Sequence, residues 1–143
     1  MSFNNIYDIS GSAMNAQVMR LDTIASNLAN ADTVAGSEQD AYRALKPVFS
    51  AMYQTASGDT DTGNNLSASV KMMGIVQSDR AVEQRYEPNN PIANADGYVF
   101  YSNVNSLEEM ADMMSASRSY QTSVEILGKV NSMQQSILRL GQS

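Results

Sequence analysis

Two stretches, one near each end of the 143-residue chain, repeat apolar residues at alternating steps of three and four, and this constrains the fold more than any other feature. In the first, Met14, Val18, Leu21, Ala25 and Leu28 form a heptad seam, widened on one side by Ile24. The spacing predicts a helix from about Asp8 to about Ala31. Tyr7 falls in the same register, Gly11 is a weak point, and Asp8 or Ser10 is the expected N-cap. In the second, Met110, Met113, Ser117, Tyr120, Val124 and Leu127 make one seam. Ile126, Val130, Met133, Ile137 and Leu140 make another, one position further round. This predicts a helix over Leu107–Leu140, roughly 50 Å long at ~1.5 Å per residue. Asn105 or Ser106 suits its N-cap, Glu108, Glu109 and Asp112 complement the dipole of its first turns, and Arg139 and Gly141 mark its end. A helix with two offset seams can touch more than one neighbour.

Between the helices the pattern changes. The runs 42–53 and 69–79 are β-rich, with Pro47 placing part of the first at an edge. Residues 86–101 hold two prolines and an Asp-Gly before an alternating aromatic run, which reads as a turn-rich loop closing into a short strand. The fold class that follows is mainly α with a small β region. The terminal helices pair as an antiparallel coiled coil, and a short β-hairpin or irregular segment forms the middle. By residue, 1–35 and 105–143 make the helical coiled-coil domain and 36–104 a small β-rich region placed at one end of it, with a flexible insert near 55–66. The C-terminal helix would overhang its shorter partner by nearly ten residues, a span of ~15 Å in search of a neighbour.

Composition narrows the function. Charged residues are only 17% of the chain, and Ser, Asn, Gln and Thr take their place, as on surfaces that meet other protein. The net charge of −6 argues against nucleic-acid binding and against docking on anionic lipid. With neither Cys nor His, thiol nucleophiles, Cys/His zinc sites and the commonest neutral-pH proton carrier are excluded. The opening stretch lacks a basic n-region and an unbroken apolar core, so no cleavable secretory signal is expected. No run approaches the ~18 apolar residues of a membrane span.

Single motifs offer little chemistry. Asp59, Asp61 and Gly63 invite a calcium loop, but the glycine comes one place early and Val70 stands where the bidentate glutamate belongs. A solvated loop is the simpler reading. Glu108 and Glu109 are neighbours ~100° apart on a helix, which suits dipole complementation rather than paired catalysis. Arg118 beside Tyr120 could bind an anion, yet one Arg on a helix more often pairs with a nearby acid. No catalytic residue, cofactor site or metal site is expected. The ten methionines, among them Met110, Met113, Met114, Met72 and Met73, are either adaptable contacts for unlike neighbours or ordinary core filling.

The stretch "ASNLANADT" stands apart. Thr23, Asn27 and Asn30 form a polar stripe beside the first seam, although Asn is a poor helix-interior residue. Two readings stand equally. Either the amides fix register against another helix, because misalignment would leave them unsatisfied, or they simply cap and stop the helix.

"IASNLANADT" resembles the signature that ends the N-terminal helix in the bacterial flagellar rod, hook and related axial proteins. "YEPNNPIANADGYVFYSNVN" is similar to the turn before the C-terminal helix in the proximal-rod members of that family. "EEMADMMSASRSYQTSVEIL" resembles their C-terminal helix, and the "DISGSAM" opening fits as well. The likeness covers roughly two thirds of the chain and is weakest from about Gly36 to Leu66. It implies a non-enzymatic structural subunit of the flagellar basal body, in the rod within the periplasm. Such a subunit is exported unfolded by the flagellar type III apparatus without signal cleavage. It packs helically around a central channel, as part of the shaft that carries motor torque to the hook. Its implied partners are copies of itself, other rod proteins, and basal-body ring and export-gate components. The rival reading is a soluble coiled-coil adaptor or chaperone-like module. On the first reading, the expected subunit interface comprises Leu21, Ile24, Asn27, Leu28, Asn30, Met110, Met113, Tyr120, Val124, Leu127, Val130, Met133, Ile137 and Leu140.

Overall fold

A computed structural model describes residues 3–55 and 66–141, with side chains over 5–53 and 68–141. The element order is helix, five strands, helix: α1 (Phe3–Ala29), β1 (Val34–Ala35), β2 (Leu45–Thr55), β3 (Leu66–Gln77), β4 (Glu83–Tyr86), β5 (Tyr98–Tyr101) and α2 (Ser106–Leu140). The helix α2 follows its sequence signals closely. Asn105 is extended and accepts from the backbone N–H groups of Leu107 and Glu108, Glu108 and Glu109 occupy the first turn, and Gly141 closes the last turn onto Ile137 O. The helix α1 starts five residues earlier than the seam suggests. Asp8 and Ser10 therefore lie inside it rather than at its cap, and Ser10 is buried.

The two helices run antiparallel. Tyr7 Oη donates to Gln134 at 3.1 Å, Arg20 pairs with Asp112 at 2.9 Å, and Asn27 donates to Glu109 at 3.1 Å. As α1 advances from 7 to 27, its partners retreat from 134 to 109. The early start of α1 extends the pairing, so the overhang of α2 is shorter than the expected ten residues.

The face that α1 turns inward is not its apolar seam. Ala16, Thr23, Ile24 and Asn27 are buried, while Val18 stays 41% exposed and Ala25 is open to solvent. The buried set lies about a third of a turn around from the seam, at ~100° per residue. Small side chains on the inner face let neighbouring elements approach closely, while Met14, Leu21 and Leu28 of the seam are half-buried and Val18 and Ala25 are left outside.

The middle of the chain forms two sheets. The strands β2 and β3 make a long antiparallel ribbon whose register runs from Leu45↔Gln77 to Thr55↔Leu66. Val48 faces Gly74 and Phe49 faces Met72, so Met73 is the extra residue of a β-bulge. Pro47 lies opposite Ile75. In a two-stranded ribbon every strand is an edge, which accommodates its missing donor. The segment "TASGDTDTGNN", with its calcium-like acids, lies largely outside the described residues. The ribbon does not sit only at one end of the helix pair. It lies against α1, where Val70 N donates to Ser12 Oγ at 3.1 Å.

The second sheet has the order β1-β5-β4, all antiparallel. Its central residue Val99 is fully buried. The expected turn precedes it. Asn94 Oδ1 accepts from Asp96 N and Tyr98 N, and Asn90 Oδ1 accepts from Ile92 N. Gly97 takes φ +80°, a left-handed value, and a Cβ there would stand 2.9 Å from the Tyr86 ring. That ring meets Tyr98 edge-on at 5.2 Å.

Candidate assembly interface

The two ends of the chain meet the β region at one polar junction, and asparagine side chains build it. Asn27 is 1% exposed. Its amide nitrogen donates to Leu45 O at 2.9 Å and to Glu109 at 3.1 Å. Its carbonyl oxygen accepts from Leu45 N at 2.8 Å and from Tyr42 Oη at 3.1 Å. The primary amide thus matches the backbone of Leu45 at both its donor and its acceptor, and uses two donors and two acceptor sites at once. The bond to Glu109 on α2 fits the register reading in part, and the bonds to Leu45 and Tyr42 go beyond it. Its amide ties α1, the foot of β2 and the first turn of α2 together.

Asn103 does the same one residue upstream. Its Oδ1 accepts from Ala44 N at 2.7 Å, and its Nδ2 donates to Arg80 O at 2.6 Å. Two successive backbone N–H groups, Ala44 and Leu45, are therefore each held by an asparagine from a different part of the chain. Asn30 takes the capping role. Its Nδ2 donates to Ser26 O at 2.8 Å, and Thr33 Oγ1 donates back to Asn30 O at 2.7 Å, closing the helix. Buried polar groups of this kind require partners, and these have them.

A cleft of about 250 Å³ opens beside this junction, bordered by Arg20, Lys46, Arg80, Glu108, Glu109 and Asp112. Arg20 is bridged to Asp112 and Arg80 to Glu108, so most of its charges are internally matched. It holds no arrangement of nucleophile and base.

A second polar network covers the outer sheet. Tyr101 Oη and Asn90 Nδ2 both donate to the Glu87 carboxylate at 2.9 Å, and the Arg85 guanidinium lies 4.5 Å over the Tyr101 ring. The Asn90 and Tyr101 hydrogen bonds hold the Glu87 carboxyl below its ordinary value. Donation to Glu87, aided by partial desolvation, pushes the Tyr101 phenol up. This network braces the turn over residues 87–101.

The expected interface residues divide by position. Ile24, Asn27 and Val130 are buried within the chain. Leu21, Leu28, Asn30, Tyr120 and Leu127 are half-buried. Met110, Met113, Val124, Met133, Ile137 and Leu140 are exposed. The exposed members of α2 form two separate flanks. At ~100° per residue, Met110, Met113 and Val124 face one side in the first half of the helix, and Ile126, Met133 and Ile137 face nearly the opposite side in the second half. Sequence reasoning missed Tyr42 and Asn103 at the junction, which belong to no periodic pattern. It also missed apolar residues that the ribbon exposes beside Met73, among them Val48, Met52 and Ile75. Alternation along β2 and β3 was the available signal.

Comparison with known proteins agrees with this architecture at both ends. Residues 8–36 match the family model described as flagella basal body rod protein. Residues 95–140 match that of the flagellar basal body rod FlgEFG protein C-terminal region. Over the full length, the chain is 45% identical across 142 residues to the flagellar basal-body rod protein FlgC of Salmonella typhimurium, covering 99% of this chain and all of that one. It is 46% identical across 142 residues, with the same coverage, to the FlgC of Escherichia coli O6:H1. To the FlgC of Buchnera aphidicola from Schizaphis graminum it is 38% identical across 144 residues, again with 99% and 100% coverage. Matches at this level, continuous through both helices and the β region between them, place the chain in the FlgC family of flagellar basal-body rod proteins.

Proposed function

We propose that this protein is a structural subunit of the proximal rod, working through its interfaces rather than through catalysis. The observation that carries the reading is the inversion of the helix pair. Its buried residues are mostly polar or small (Ser10, Ala16, Thr23, Asn27 and Ala116, beside Ile24 and Val130), while Val18, Met110, Met113, Met114, Val124, Ile126, Met133 and Ile137 stand open to solvent along some 27 and 35 residues of helix. Apolar flanks exposed on this scale mark faces that other protein covers. Each such side chain contributes ~1.5–3 kcal/mol when fully buried between subunits.

In this reading the terminal helices are a coiled coil whose outer seams pack on neighbouring rod subunits. The flanks of α2 face different neighbours, which gives heterologous, non-closing contacts, the kind that generate a helical shaft. The subunit leaves the cell by the flagellar type III route, assembles in the periplasm around the export channel, and meets ring and export-gate components at the base. No helix among the described residues is long and apolar enough to cross a membrane.

The test is complementation. In a strain lacking its own copy, the wild-type chain restores motility and is recovered in purified basal bodies. A double variant Met113→Glu/Met133→Glu, charged on both outer flanks, is secreted but absent from them. Its recovery at wild-type level in functional rods would sink the reading.

A further inference from the structure

An open groove runs along the outside of the helix pair, where α1 meets the first half of α2. Leu21, Met113, Met114, Ser117 and Arg118 line its floor and rim. Val18 and Ala25 extend the apolar stripe along α1, both exposed. Two acids border this stripe, Asp22 on α1 and Asp32 just beyond its end. Neither enters an ion pair among the described residues. Arg118 is likewise exposed and unbridged.

The second half of α2 has the complementary character. From Ile126 to Leu140 it contains no acid and two bases, Lys129 and Arg139, neither in an ion pair among the described residues. Ile126, Met133 and Ile137 are exposed on one side of it. The bases 129 and 139 stand ten positions apart on α2, ~15 Å along the helix, whereas Asp22 is on α1 and Asp32 in the turn that follows it. Glu125, four residues before Lys129, supplies an acid for Arg118. Groove and helix thus agree in apolar stripe and in charge sign. Within one chain they cannot meet. Arg20 is bridged to Asp112 and Tyr7 to Gln134, so the far half of α2 lies beside the beginning of α1, about 27 Å from Ala25 at ~1.5 Å per residue.

We infer that the groove between α1 and the first half of α2 receives the Glu125–Leu140 half of α2 from a second copy of this chain. This deepens the rod-subunit reading and rests on it. Each copy offers one groove and one far helix, so the contact is head-to-tail and propagates instead of closing. The occupant is a helix laid apolar face down, with Lys129 and Arg139 answering Asp22 and Asp32. At the rim these charges select the partner and its register rather than supply most of the affinity.

The experiment uses charge exchange in the full chain, expressed in a strain lacking its own copy. Lys129→Glu/Arg139→Glu and Asp22→Lys/Asp32→Lys each lower recovery in purified basal bodies at least tenfold, with secretion unchanged. The fourfold variant carrying both exchanges restores recovery to within about twofold of wild type. Because the chain has no cysteine, a second test is unambiguous. Ala25→Cys/Met133→Cys, oxidised in purified basal bodies, yields a ladder of disulfide-linked oligomers. Wild-type recovery of both charge-reversed variants, or the absence of a ladder above monomer, overturns the inference while leaving the rod assignment intact. Absence of the wild-type chain from basal bodies would instead overturn the rod reading itself.

Discussion

The junction around Asn27 and the outer flanks of the helix pair show opposite solutions to burial. At the junction, polar groups are buried and every partner is supplied from within the chain. Asn27 alone makes four hydrogen bonds to three residues. Along the flanks, apolar groups such as Met113, Ile126 and Met133 are exposed and the chain supplies no cover. A monomer optimised for solution would reverse both choices. The contrast assigns the two regions separate tasks. The junction specifies how helices and β region are arranged, since amides that must all be satisfied tolerate one geometry. The flanks hold the free energy of association, which is released only when a neighbour arrives.

The sharpest way to break this division is to remove the far end of α2. Truncation after Lys129 deletes Val130, Met133, Gln134 and Ile137 together, including the Tyr7 partner. Rod recovery in a null background falls below detection, while the chain is still secreted. Completed rods built from the truncated chain would show that neighbours grip elsewhere and that the flank does not hold the association energy.

Asn27→Leu attacks the other side. Leucine is the better helix former by a few tenths of a kcal/mol, so propensity favours the mutant. The junction opposes it far more strongly. The N–H and C=O of Leu45 lose the amide that holds them, at ~1–3 kcal/mol for each group left unsatisfied, while the Tyr42 hydroxyl keeps its contact with Ser26 Oγ at 3.3 Å. A net destabilisation of about 3 kcal/mol is expected, read as a lower thermal midpoint and faster amide exchange at Ala44 and Leu45. If stability is unchanged and only assembly is lost, Asn27 acts between subunits and the junction is not its site of action.

Much of this arrangement was legible in the sequence. Asn105, the first-turn glutamates and Gly141 fixed α2 to within one residue, because caps are local chemistry. The ribbon β2–β3 followed from β-branched residues bounded by turn formers. The strands β1 and β4 escaped because β1 has two residues and β4, Glu-Gln-Arg-Tyr, is wholly exposed, so neither carries an alternating pattern. The deeper miss concerned α1. Apolar periodicity marks the face that some neighbour buries, and it does not say whether that neighbour is in the same chain. Here the inner face is built from Ala16, Thr23 and Asn27, whose polar satisfaction is invisible until Tyr42, Leu45 and Glu109 are brought together in space.

A smaller effect probes the turn that braces the second sheet. Gly97→Ala puts a Cβ on a left-handed backbone and drives it to 2.9 Å from the Tyr86 ring. The conformational cost is ~1–2 kcal/mol before any movement of the ring. The thermal midpoint should drop by a few degrees, with exchange rising at Val99 and Phe100 and unchanged at Leu45. Equal loosening at both places would mean that junction and sheet unfold as one unit, so the comparison would need to be redrawn around a single cooperative core.

The smallest effect is electrostatic and confined to the same turn. Hydrogen bonds from Asn90 and then Tyr101 lower the Glu87 pKa in the folded chain. A carboxylate with a depressed folded pKa binds protons more readily when unfolded, so its contribution to stability is fully present above the unfolded pKa. That contribution is lost as pH falls through the folded value, in the window below the ordinary carboxylate range. The Tyr101 phenol behaves inversely. Its pKa is raised chiefly by donation to Glu87, so its contribution holds below the ordinary tyrosine value and is lost as pH rises through the raised one. Both groups are at the surface, where solvent screening keeps the effect small. Tyr101→Phe removes one of the two donors to Glu87. The Glu87 carboxyl, followed by carbon-detected NMR titration, should then move part of the way back towards its ordinary value, with the Asn90 bond retaining the rest. A titration curve identical to wild type would show that Tyr101 does not brace the turn. The bracing of the turn would then fall to the Asn90 and Asn94 hydrogen bonds, to Gly97 and to the buried Val99.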